Sequence, residues 1–89
     1  DVIVNGSEVS KGKPNPDIFL LACERVGACP EECYVFEDAR AGVAAGVAAG
    51  CKTIMIPDLV QPTIIEKETA YGIYDDLNSA LEDIKKKRL

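Results

Sequence analysis

Short apolar blocks separated by stretches of helical spacing constrain this chain more than any other feature. Asp1-Val2-Ile3-Val4, Cys33-Tyr34-Val35-Phe36 and Thr53-Ile54-Met55-Ile56 are brief, rich in β-branched and aromatic residues, and read as strands. Between the first two, Ile18, Leu21, Ala22 and Val26 recur at helical spacing from Asp17 onward. Between the second and third lies GVAAGVAAG, which places Gly42, Gly46 and Gly50 on one helical face. Alternation of strand and helix predicts an α/β fold, a parallel sheet covered by helices.

Local signals sharpen the boundaries. Gly6, Gly12, Pro14 and Pro16 punctuate a polar loop before the first helix. Asn15 is placed as its N-cap, with Pro16 at the first helical position, where a missing N–H costs nothing. Gly27 stands where a left-handed residue ends a helix. The glycine face of GVAAGVAAG lets a helix backbone sit close to a sheet. Each glycine costs roughly 1 kcal/mol relative to alanine, so packing must compensate. A weaker helix is expected from Gln61 to Ala70, starting near Pro62 or Thr63. A short edge strand is expected at Gly72-Ile73-Tyr74, and a closing helix from Asn78 to Lys87 with Ala80, Leu81 and Ile84 on its buried face.

Composition removes several classes of function. A net charge of -5 leaves no basic surface for nucleic acid. The run Lys85-Lys86-Lys87-Arg88 reads as a solvated helix end that complements the helix dipole. No stretch approaches the roughly 18 apolar residues that span a bilayer. No signal peptide is visible, and the chain begins at Asp1 rather than methionine, so a natural N-terminus is expected to have been lost. The four cysteines, Cys23, Cys29, Cys33 and Cys51, have no histidine beside them, and one C-x-x-x-C spacing gives little support to a zinc site. Free thiols in a reducing cytoplasm are the default reading.

Chemistry concentrates at two places. Glu37 and Asp38 close the second strand, and ligands of open parallel sheets bind beyond such strand ends. Adjacent carboxylates repel unless a cation holds them, and hard oxygen donors suit Mg2+. The competing reading is a solvated acidic turn at the start of the next helix. Upstream, Lys11-Gly12-Lys13-Pro14-Asn15-Pro16-Asp17 sets a lysine beside rigid backbone, where it can neutralise a phosphate.

K-G-K-P-N-P-D-I-F followed by V-F-E-D-A-R-A-G-V-A-A-G resembles the third and fourth motifs of the haloacid dehalogenase superfamily, in the branch of β-phosphoglucomutase and phosphoglycolate phosphatase. The resemblance implies a Rossmann-like core. Residues 1–89 would be the C-terminal part of that core, without its cap domain and first strands. It implies that Lys13 contacts the phosphoryl group and the nucleophile, that Asp38 binds Mg2+, and that Glu37 is a second metal ligand. Ala39 departs from the serine many relatives carry there. The family's D-x-D nucleophile motif is absent from these 89 residues.

The implied function is a Mg2+-dependent phosphatase acting on a small phosphorylated metabolite through an aspartyl-phosphate whose nucleophile lies upstream. A sugar-phosphate mutase is the alternative, and a non-catalytic Rossmann-like interaction module the alternative of another class. A receiver domain fails on order, because Lys13 precedes the acids. In the family the Asp38 strand pairs with the nucleophile strand. An exposed edge on that strand, an unpartnered first strand, and a marginally folded, inactive fragment are therefore expected.

Overall fold

The computed structural model describes the backbone of residues 2–5 and all of residues 14–86. Among the described residues, four parallel strands, β1 (Val2–Asn5), β2 (Cys33–Glu37), β3 (Lys52–Met55) and β4 (Gly72–Ile73), lie side by side in that order. Helices α1 (Asp17–Arg25), α2 (Arg40–Ala49), α3 (Ile64–Thr69) and α4 (Leu77–Lys85) follow them in turn, with a single 3-10 turn over Pro30–Glu32 before β2. The α/β parallel sheet read from the sequence is the observed architecture.

Two linked expectations are overturned, the exposed edge on the Asp38 strand and the unpartnered first strand. β2 has no free edge, because β1 pairs with it from Val2↔Cys33 to Asn5↔Phe36 while β3 pairs on the other side. The backbone N–H and C=O groups of β1 need a ladder partner, and β2 supplies it.

Every residue of β2 is buried, and alternation along the strand divides the core. Cys33 and Val35 face α1 and α2, packing with Phe19, Cys23, Ala45, Ala49 and Cys51. Tyr34 and Phe36 face the other side with Ile54 and Ala80, against which Ile56, Tyr74, Leu81 and Ile84 pack. The buried face expected for α4 is therefore the observed one. That helix starts at Leu77 rather than Asn78, because Asp76 caps it by accepting from the Ser79 N–H at 2.7 Å. The expected Lys87 end lies outside the described residues.

The face of α1 differs from the one read. Phe19 and Cys23 are buried, whereas Leu21 is 46% and Val26 54% exposed. One turn apart, Phe19 and Cys23 make a narrow stripe that meets Val35 and Cys33, and this contact sets the rotation of the helix. Its cap is also shifted by one residue. Pro16 has helical dihedrals and is the N-cap, while Asn15 Oδ1 accepts from the Asp17 N–H at 2.9 Å. Gly27 adopts φ 73° as expected, and the Gly27 and Ala28 N–H groups close on Glu24 and Cys23 carbonyls at 3.1 and 3.0 Å.

Candidate functional site

β2 ends at Glu37, whose carbonyl accepts from the Ile56 N–H at 2.9 Å and so stays tied to the sheet. Its side chain is only 4% exposed and folds back along the first turn of α2. The reason is Gly42: a Cβ there would overlap Cγ, Cδ and Oε1 of Glu37. One turn later Gly46 plays the same part for β3, since a Cβ on it would overlap the Thr53 side chain. The close approach of helix to sheet read from the glycine repeat is thus real at Gly42 and Gly46. Gly50 does not belong to that face; it ends α2 with φ 86°.

Asp38 is exposed, in the bend between β2 and α2. The next residue, Ala39, is the N-cap of α2 and offers no side-chain acceptor to the first helical N–H groups. Among the described residues no hydrogen bond or ion pair holds the Asp38 carboxylate, so it is not spent on capping. The two acids are thus unlike: Glu37 is packed under a helix turn and Asp38 faces solvent at the rim. Both supply hard oxygens, and no group of three or more metal-ligating side chains occurs among the described residues. That donor set fits Mg2+, which takes one or two protein carboxylates and completes its shell with water or phosphate oxygens. Lys13 lies outside the described residues.

A second cluster beside the site escaped the sequence reading. Arg40, at the start of α2, donates from Nη2 and Nε to the Gln61 carbonyl at 2.9 and 3.3 Å. Its Nε also lies 3.6 Å from Glu66 Oε1. The same Glu66 oxygen accepts from the Thr63 N–H and hydroxyl, each at 2.7 Å. Glu66 is buried, and the Thr63 amide, the Thr63 hydroxyl and the charge of Arg40 hold its carboxyl below the usual carboxylate range. This cluster ties the segment after β3 to the helix that starts at the site. Thr63-Ile64-Ile65-Glu66 is a capping-box pattern, and that signal was present in the sequence.

A family described as "Hydrolase: haloacid dehalogenase-like hydrolase" matches residues 1–50. Among curated proteins, the bifunctional riboflavin kinase/FMN phosphatase of Arabidopsis thaliana is 46% identical over 94% of this chain and 21% of its own length. Hexitol phosphatase A of Escherichia coli is 48% identical over 63% of this chain and 26% of its own length. The crystal structure of β-phosphoglucomutase from Clostridium difficile superposes with a TM-score of 0.68 at 26% identity, covering 91% of this chain and 34% of that one. The chain therefore spans a fifth to a third of the length of these relatives.

Proposed function

Because the chain belongs to the haloacid dehalogenase-like hydrolases, we propose that it forms the metal-binding part of a phosphatase active site in a longer protein. The substrate is a small phosphorylated metabolite. The observation that carries this reading is the Asp38 carboxylate, exposed at the end of a fully buried inner strand and free of any structural partner among the described residues. Phosphatase names among the relatives support it.

Asp38, with Glu37 beside it, would hold Mg2+, which supplies positive charge for phosphoryl oxygens. Glu37 is positioned by the Gly42 contact, and Arg40 steadies the turn that presents both acids. Lys13 neutralises phosphoryl charge from the segment before α1. The nucleophilic aspartate comes from another part of the longer protein, because no D-x-D occurs here. Its attack gives an aspartyl-phosphate, which water cleaves. Four free thiols suit a reducing, cytoplasmic setting.

Likeness to a β-phosphoglucomutase favours a second reading, a mutase in which a substrate hydroxyl receives the phosphoryl group. The deciding experiment supplies the full-length protein with a panel of sugar and nucleotide monophosphates and follows both free phosphate and isomerised product. Mg2+-dependent phosphate release that disappears in Asp38→Asn supports the phosphatase. Isomerisation without free phosphate selects the mutase, and full activity in Asp38→Asn rejects the metal site.

A further inference from the structure

Three thiols meet in the core beneath α1, although they are far apart in sequence. Cys23 Sγ on α1 donates to Cys33 Sγ at the start of β2 across 3.1 Å. Cys51, just after α2, has its sulfur 3.8 Å from that of Cys23. All three are buried, and Cys33 Sγ donates onward to the Cys29 carbonyl at 3.4 Å. Nothing in the proposed phosphoryl chemistry uses them, and no metal-holding group is formed among the described residues. The surroundings are apolar: Phe19, Val35, Ala45 and Ala49.

We propose that Cys23 and Cys33 are an oxidisable dithiol, converted by a hydroperoxide into a disulfide that staples α1 to β2. In the first step Cys23 Sγ attacks the peroxide, the O–O bond breaks, one water leaves, and a sulfenic acid remains. Cys33 Sγ then attacks that sulfur. The S–S bond forms, the S–O bond breaks, and the hydroxyl leaves as a second water with the Cys33 proton. Two thiols and one hydrogen peroxide give one disulfide and two waters, with two electrons passing from sulfur to oxygen.

The sulfurs must close by only about 1 Å to reach the ~2.05 Å bond of a disulfide. Cys33 is the nearer partner of Cys23, which makes it the expected one. Access comes through the end of α1, because Cys23 stands in its last turn and helix ends open locally at low cost. Burial pushes both thiols up, Cys33 to about 11, so the reaction is slow at neutral pH. The staple joins the helix that follows the Lys13 segment to the strand that ends in Glu37. The proposal is independent of the substrate and holds or fails separately from the phosphatase reading.

The test treats the folded protein carrying Cys29→Ser with excess hydrogen peroxide, blocks remaining thiols, and digests it with trypsin. Cleavage at Lys11, Arg25, Arg40 and Lys52 puts Cys23, Cys33 and Cys51 on separate peptides. The expected result is a cross-linked pair of peptides 12–25 and 26–40, two hydrogens lighter than their sum and absent without peroxide. Should Cys29→Ser fail to fold, the parent protein serves, with added cleavage at Glu31 and Glu32 separating Cys29 from Cys33. Linkage of Cys23 to Cys51, or full alkylation of Cys23 and Cys33 after peroxide, overturns the proposal.

Discussion

Two carboxylates, Asp38 in the bend before α2 and Glu66 within α3, are treated in opposite ways by this fold. Glu66 is buried and surrounded: the Thr63 amide and hydroxyl and the Arg40 guanidinium all address one oxygen. Asp38 is exposed beside a helix start whose cap residue has no acceptor to offer. A carboxylate that serves the fold has its lone pairs taken, whereas an exposed one keeps them available to a ligand, as the proposed metal site requires. The contrast gives substitutions at the two sites different consequences.

The largest expected effect is at Asp38. In the full-length protein Asp38→Asn lowers Mg2+-dependent turnover on the order of 100-fold or more with its melting temperature unchanged. Glu66→Ala should do the reverse. It strands the Thr63 donors and lowers the midpoint of denaturant unfolding, with kcat nearly retained. If both substitutions affect the same quantity, the comparison breaks.

Gly42→Ala comes next and joins the two categories, because the added methyl displaces Glu37. Overpacking of this kind costs about 1–3 kcal/mol, and kcat/KM should fall with it. Retained stability and activity would mean that Glu37 moves aside without consequence.

Stability against pH separates the groups whose titration the fold shifts. Cys33 has its folded value raised from 9.0 to about 11, so its burial stabilises fully below pH 9 and that contribution is lost as pH rises through 11. Glu66 and Asp76 are lowered, by hydrogen bonds from the Thr63 and Ser79 amides first. Their contribution is present above the ordinary carboxylate range and lost on acidification through their folded values. A denaturation midpoint followed from pH 3 to 11 should therefore fall at both ends, and Cys33→Ser should flatten the alkaline fall. The smallest effect is Lys85→Ala in the last turn of α4, expected within about 0.5 kcal/mol of the parent.

Much of the fold was legible because it rests on local pattern. The blocks around Val35 and Ile54 could only be strands, and Gly27 marked a helix end. What escaped depends on tertiary partners. Ile18 and Leu21 have the right spacing for a buried face, yet Phe19 and Cys23 fill the space above Val35 and so fix the rotation of α1. The pairing of β1 with β2 is a long-range choice that no local signal carries. At the site, E-D is visible in sequence, but the unlike fates of Glu37 and Asp38 are decided five residues on, by Gly42.

The two glycine contacts also fix the axial position of α2. Gly42 lies over Glu37 and Gly46 over Thr53, like two notches of a key. A slide of one residue in either direction would present a side chain where a notch is needed. The helix can therefore seat only in discrete steps, and the start of α2 keeps its place at the sheet rim.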